Sequence, residues 1–365
     1  MIRRPSRRAR RAQWVVLAAI LLLAGFLVKQ ASDRLAERGM HFSYNYLGAP
    51  ANFDIPFRLI DWSVRDSFGR VLLVGLLNTL LVSVLGIVAA TLLGLLVGVM
   101  RLSVNGLLRL LAAGFVEGVR NTPQLIQIVF WYAVILQALP IPRFSLSLPP
   151  GLLLNVRGLY VPRPDLSPEA TWLLPLAAML LAGGIVAVAR RGPRWVWFPL
   201  AACAVAAAAI RQFDFPVPGA FNVRGGTVLP PELLALWLGL SIYSAAFIAE
   251  IIRGAIQSVP YGQVEAAQAL GLRPRRVLVS IVLPQALRLA IPPITSQYLN
   301  LVKSSSLGAA IAYPELFQIF AGTALNQSGR EIETMSLVAA VFLSISLGIA
   351  ALMNWYNRRM ALPQR

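Results

Sequence analysis

The sequence offers catalysis very little. With a single histidine, His41, and a single cysteine, Cys203, the sequence shows no His/Cys metal spacing and no Ser-His-Asp pattern. No GxxxxGK[ST] phosphate loop occurs. Only two carboxylates, Glu117 and Glu250, fall within apolar runs. If this chain drives anything uphill, the energy is expected to come from another protein.

Two polar groupings and one short segment carry the information instead. Glu117, Arg120, Asn121, Thr122, Gln124 and Gln127 interrupt an apolar run, where such groups are costly unless they line a wet cavity or pair with each other. Pro123 among them lacks an N–H and frees the Val119 carbonyl. Two readings stand for this group: contact with a solute, or a structural or gating kink. Lys303, Ser304, Ser305 and Ser306 either bind a carboxylate or end a helix. The segment Glu265-Ala266-Ala267-Gln268-Ala269-Leu270-Gly271 is followed, nine residues on, by Ile281-Val282-Leu283-Pro284. Good helix formers over 263–270 run into Gly271, a left-handed stop, and Pro274 suits the first turn of a new helix. The alanines leave a helix with little side-chain bulk, which another protein's groove can approach closely, and Arg273, Arg275 and Arg276 add a cationic rim. Glu250 and Arg253, three apart on one helix face, suit an ion pair.

The elements that must position these residues are set by composition. Of 365 residues, 57% are hydrophobic and 13% charged, with a mean hydropathy of +0.68. A soluble chain carries about a quarter charged residues, so the solvent for most of this one is lipid. That excludes a cytosolic enzyme, a disulfide-stapled domain and a disordered chain. The net charge of +18 does not indicate nucleic acid, because the basic residues are spread between apolar runs instead of gathered on one face.

At about 20 residues per crossing, eight spans are expected: 14–28, 71–100, 107–139, 172–189, 195–210, 233–252, 286–302 and 335–356. With the N-terminus inside, cytoplasmic segments hold 19 of the 33 basic residues in about 70 positions, against 13 in about 120 outside. Both termini are therefore placed in the cytoplasm. The first span reads as a retained anchor, since no small-x-small cleavage site follows Val28.

The organisation expected is a basic tail (1–13), an anchor span (14–30), an outside loop (31–70) containing His41, a transmembrane unit (71–356) and a cytoplasmic tail (357–365). Residues 139–168, rich in proline, are expected as an extended outside segment. Residues 172–210 are expected as a helical hairpin turning at Arg190-Arg191-Gly192-Pro193-Arg194, and Pro292-Pro293 as a kink. Cys203 is expected to pack as a small hydrophobe.

The pattern EAA, three residues, G, nine residues, I-x-L-P resembles the cytoplasmic coupling-loop signature of permease subunits of binding-protein-dependent ABC importers. The surrounding sequence is similar to the polar amino acid branch: Gly75-Leu76-Leu77-Asn78-Thr79-Leu80, Arg120-Asn121-Thr122-Pro123-Gln124-Leu125, the stretch from Tyr243 to Gly254, and Lys303-Ser304-Ser305-Ser306-Leu307. The outside stretch from Asn155 to Pro164 and the hairpin are similar to the longer permeases of general L-amino acid importers. The resemblance covers about residues 66–360.

This resemblance implies an all-α integral membrane protein with a type I importer core of spans 2, 3, 6, 7 and 8, to which the first span and the hairpin are additions. It implies alternating access in the bacterial inner membrane, with a periplasmic solute-binding protein, a second related permease and a cytoplasmic ATPase dimer that holds the ATP and Mg; this chain itself has no cofactor. Residues 255–284 form the implied coupling loop. Glu265 would be a polar contact or helix-end anchor, Ala266 and Ala267 the docking surface, Gly271 the angle-setting turn, and Arg273, Ile281, Leu283 and Pro284 its continuation. The rival expectation is an ion-coupled secondary amino acid transporter, which would want buried carboxylates.

Overall fold

The computed structural model describes residues 7–37, 43–168, 170–191, 197–219 and 221–360. His41 and the turn at Gly192, Pro193 and Arg194 lie outside the described residues. The chain is helical wherever the sequence is continuously apolar: α1 (Arg7–Glu37), α2 (Phe68–Arg101), α3 (Gly106–Arg120) and α4 (Gln124–Ala138) come first. The hairpin follows as α5 (Ala170–Arg191) and α6 (Trp197–Ala208), then α7 (Pro231–Gln257), α8 (Tyr261–Ala269) and α9 (Pro274–Val277). The last are α10 (Leu283–Ser304), α11 (Leu325–Ser328) and α12 (Glu331–Met360).

Four stretches among the described residues are long and apolar enough to cross a bilayer by length and composition: Phe68–Arg101, Pro231–Gln257, Pro274–Ile311 and Glu331–Asn357. The expected single run over 107–139 is corrected: it is two 15-residue helices, α3 and α4. Asn121 caps the first and Pro123, which cannot continue a helix, precedes the second. As described, α6 has 12 residues, about 18 Å against a hydrocarbon core of about 30 Å. Cys203 sits exposed on it instead of packed. Pro292 and Pro293 both lie inside α10, which stays helical through them.

α2 and α7 form the centre. They run parallel: Trp237 Nε1 donates to the Leu85 carbonyl at 3.1 Å near one end, and Arg101 pairs with Glu250 near the other. Between these points the two backbones approach through buried small residues. A Cβ built on Gly94 would lie 2.7 Å from Ile248 Cγ2, and one on Gly98 would lie 3.0 Å from the Ala249 carbonyl. Gly86, Ala90, Gly94 and Gly98 recur every four residues and all are buried, the pattern that lets membrane helices touch closely; Gly94 and Gly98 meet α7, whereas Gly86 meets Leu301 of α10.

The 305–330 segment is fastened to α2 by a buried polar knot. Asn78 Nδ2 donates to the Phe57 carbonyl at 2.9 Å and the Pro314 carbonyl at 2.7 Å. Thr79 Oγ1 accepts the Leu316 N–H at 3.0 Å, and Tyr313 donates to the Asn78 carbonyl. The motif around Asn78 and Thr79 is thus a staple between elements.

Residues 139–168 are more ordered than the extended segment expected. Strands β1 (Leu146–Leu148), β2 (Leu152–Asn155), β3 (Gly158–Val161) and, in a second sheet, β4 (Arg163–Leu166) alternate with turns. β5 (Ile210–Asp214), β6 (Val217–Pro218), β7 (Val223–Arg224) and β8 (Thr227–Leu229) follow the hairpin. β1, β2, β3 and β8 make an antiparallel sheet; β4 pairs β5 and β6 pairs β7. Leu154 stands opposite Leu146, and Leu159 opposite Leu229. Leu148, Leu154 and Leu159 share an apolar cavity with Trp131 and Trp237, so this sheet meets the adjacent ends of α4 and α7.

Candidate functional site: a short exposed helix joined to a polar cavity

α8 is a nine-residue helix held at the arginine-rich end. It stops as the sequence requires. The Leu272 N–H reaches the Ala267 carbonyl at 3.2 Å and the Gly271 N–H the Gln268 carbonyl at 2.8 Å, with Gly271 at φ +76°. These two bonds and the left-handed glycine form a Schellman stop, completed by apolar contact between Leu272 and the helix's last turn. Glu265 and Ala266 are exposed, and Leu270 is 82% exposed. Ala267 departs from the docking-surface expectation: at 3% exposure it packs inward with Val259, Val277, Val282 and Ala286. A helix anchored to its own chain by one face can offer a partner only the other, so the outward face is carried by Glu265, Ala266 and Leu270.

Beyond Gly271, Arg273 precedes α9, and Arg273, Arg275 and Arg276 border an open groove of about 730 Å³ with Gly271. The proline ring of Pro284 would strike the Ser280 carbonyl in a regular α-helix. The chain widens instead into one π turn over Leu278–Val282. Gln285 Nε2 donates to the Ile281 carbonyl at 3.0 Å and to Gln263 Oε1 at 2.5 Å, tying α8 to the start of α10. Ile281, like Val264 and Leu272, packs against the buried cluster around Ala267, Val277 and Val282, whereas Leu283 is exposed.

α10 runs from this joint to a cavity of about 250 Å³. Gln124 enters from the start of α4, Tyr243, Ser244 and Phe247 from α7, and Gln297, Asn300, Lys303 and Ser304 from α10. The structure therefore gathers Gln124, Lys303 and Ser304, which are far apart in sequence. The other pathway candidates lie elsewhere. Glu117 and Asn121 are exposed on α3 and its cap and do not line the cavity. Arg120 lies over the Phe247 ring, 5.0 Å from its centroid, on the flank of the cavity. Ser305 is buried and donates to the Val302 carbonyl at 2.7 Å. Thr122 donates to the Gly118 carbonyl at 2.9 Å.

Gln127 answers the question Pro123 raises. Its Nε2 donates to the Val119 carbonyl at 2.9 Å and the Thr122 carbonyl at 3.1 Å, bridging the helix break. Gln127→Leu keeps the bulk and removes both bonds, leaving the Val119 carbonyl to the Thr122 N–H at 3.3 Å, at a cost of about 0.5–1.5 kcal/mol. The expected result is a lower melting temperature of the purified protein with the cavity residues unaltered. Unchanged thermal stability would show that the break does not rely on this side chain.

Tyr243, Ser244, Gln297 and Asn300 were missed from the sequence. Gln297, Asn300 and Lys303–Ser304 recur at i, i+3 and i+6–7, a polar face on an otherwise apolar helix, which is the signal that could have found them. At the arginine-rich end, Glu250 pairs with both Arg101 of α2 and Arg253. The expected Glu250–Arg253 pair is thus present and gains a third member that locks α2 to α7.

The sequence matches the family described as binding-protein-dependent transport system inner membrane component over residues 90–362, about three quarters of the chain. The chain belongs to this family. The permease is 45% identical to YhdX of Escherichia coli (strain K12), over 99% of this chain and 96% of that one. It is 42% identical to the general L-amino acid transport system permease protein AapQ of Rhizobium johnstonii, over 96% and 92%. It is 36% identical to the glutamate/glutamine/aspartate/asparagine transport system permease protein BztB of Rhodobacter capsulatus, over 96% and 93%. A crystal structure of an amino acid ABC transporter with histidines superposes with a TM-score of 0.50 at 20% identity, covering 80% of this chain and 95% of that one, which shows a shared fold. The permease is a transport subunit, not an enzyme.

Proposed function

We propose that the permease conducts amino acids across a bacterial inner membrane, by alternating access, as one half of a pathway completed by a second, related permease. A periplasmic solute-binding protein delivers the solute, and a cytoplasmic ATPase dimer holding ATP and Mg grips the outward face of α8. Both termini face the cytoplasm. The observation that carries this reading is the continuous connection from α8 through the Gln263–Gln285 contact into α10, whose far end bears Gln297, Asn300, Lys303 and Ser304. A displacement of α8 by the motor moves α10 and, with it, one wall of the cavity. Glu265 and Ala266 contact the motor, Ala267 seats the helix, Gly271 sets its angle, Arg273 contributes to the cationic rim, and Ile281, Leu283 and Pro284 form the joint. Gln124, Lys303 and Ser304 contact the solute; Arg120 supports Phe247, and Thr122, Gln127 and Ser305 hold the helix ends in register.

The test is uptake into vesicles carrying the permease with its ATPase, second permease and binding protein. Accumulation of amino acid that needs ATP and survives collapse of the proton and sodium gradients is the expected result. Uptake that stops with the gradients and ignores ATP overturns the reading.

A further inference from the structure

The groove beside the Gly271 turn is a surface that the outward face of α8 does not use. Gly271, Arg273, Arg275, Arg276, Val279 and Ser280 line it, whereas Glu265, Ala266 and Leu270 lie outside it. All three arginines are exposed. Among the described residues none of them pairs with a carboxylate, and the groove's lining contains no carboxylate. Three like charges held side by side repel one another, and a bound anion removes that cost. The planar fork of arginine matches a phosphate through two parallel hydrogen bonds.

Position decides which anion fits. The groove lies on the first residues of the apolar stretch Pro274–Ile311, one of those long enough to cross a bilayer. Val279, Leu283 and Leu287 follow one another at steps of four, the spacing of neighbours on a helix surface, and all three are exposed. This apolar stripe begins inside the groove at Val279 and runs eight residues, about 12 Å, along the helix. A soluble anion would satisfy the arginines alone. A molecule with a phosphate at one end and a hydrocarbon chain behind it satisfies the arginines and the stripe together, as basic pockets beside membrane helices do for lipid headgroups.

We propose that this groove binds the headgroup of an anionic phospholipid, with one acyl chain lying along Val279, Leu283 and Leu287. Under the orientation given above the lipid belongs to the cytoplasmic leaflet, and that leaflet assignment alone rests on the importer reading. With its phosphate bridging Arg273, Arg275 and Arg276, the lipid gives the turn between α8 and α10 a footing on the membrane surface.

The probe is phosphatidylglycerol, compared with phosphatidylcholine of the same acyl chains. Lipid retained by the purified permease complex is counted by native mass spectrometry, with and without the ATPase subunits. A basic residue near an anionic headgroup contributes about fivefold, so phosphatidylglycerol is expected to bind tighter by about tenfold or more. Combining Arg273→Gln, Arg275→Gln and Arg276→Gln removes that preference, whereas lysine at the same three positions keeps most of it. Arg109→Gln, at the same arginine-rich end but outside the groove, leaves it unchanged. Glycerol phosphate, a headgroup without chains, is expected to compete about a hundredfold more weakly than the lipid. Equal retention of the two lipids, a preference that survives the triple glutamine variant, or glycerol phosphate competing as well as the lipid overturns the proposal. Loss of bound phosphatidylglycerol when the ATPase is added also overturns it, by making the motor the occupant of the groove. Lipid is counted here without transport, so any of these results leaves the importer reading standing. Absence of ATP-driven uptake would remove that reading without changing the lipid counts.

Discussion

Gly271→Asp is expected to abolish ATP-driven uptake, to below a tenth of the unaltered level, while the protein still inserts and assembles. Gly271 holds φ +76° with no atom within 4 Å of where a Cβ would stand. The side chain therefore has room, and the damage comes from backbone and charge. A non-glycine residue in the left-handed region costs about 1 kcal/mol, somewhat less for Asp than for most. The new carboxylate also stands at the negative end of α8, unfavourable by about 0.3–1 kcal/mol. It would draw Arg273, Arg275 and Arg276 across the groove they border with residue 271. The fold survives terms of this size, but the angle of α8 and its cationic rim do not. Gly271→Ala carries the backbone cost without the charge and should retain intermediate uptake. The measurement is uptake together with solute-stimulated ATP hydrolysis in reconstituted vesicles; normal values for the Asp variant would show that this turn does not couple the motor to the spans.

The second large effect is expected from Gly94→Leu, and it falls on assembly. A Cβ at this position already meets Ile248 at 2.7 Å and the Ala245 carbonyl at 3.0 Å. The carbonyl is backbone and cannot rotate away, so α2 and α7 must separate. Overpacking of a close seam costs about 1–3 kcal/mol, occasionally more. Here the separation is also transmitted two helical turns onward to Arg101 and Glu250. Breaking that contact leaves partly buried charges with fewer partners, so the loss exceeds the seam's own share. Detergent-extracted variant should be mostly aggregated and depleted in membranes. Gly114→Leu is the control, because no atom lies within 4 Å of a Cβ there. Equal yield and equal thermal stability for the two variants would show that the seam tolerates width.

How much of this was legible beforehand depended on the range of the forces involved. The segment around α8 could be read because helix stops are local: Gly271 supplies a left-handed turn whatever surrounds it, and Pro274 sets a helix start by the hydrogen bond it lacks. The Glu250–Arg253 pair was legible for the same reason, being a contact within one helix face. Pro123 announced a disturbance, but its depth did not follow. Whether a proline bends a helix or ends it depends on what satisfies the freed carbonyl, and here the Thr122 N–H and, from beyond the break, Gln127 both reach it.

The amino-acid sequence by itself determined that the chain lives in lipid, which end is arginine-rich, where the short helix α8 begins and stops, and which family the pattern resembles. The first three follow from composition or from interactions within about ten residues, and the last from a pattern spread along the chain. Only the tertiary structure decided that Ala267 faces its own chain, that Arg101 joins Glu250, and that the run expected over 107–139 is two helices. It alone brought Gln124, Tyr243, Asn300 and Lys303 around one cavity. The physical reason is that helix periodicity fixes which residues share a face, whereas which face meets which helix is set by close approach between distant segments. In this permease the close approach of Gly94 and Gly98 to α7 sets that contact, and a pair of helices must be in contact before its consequences exist.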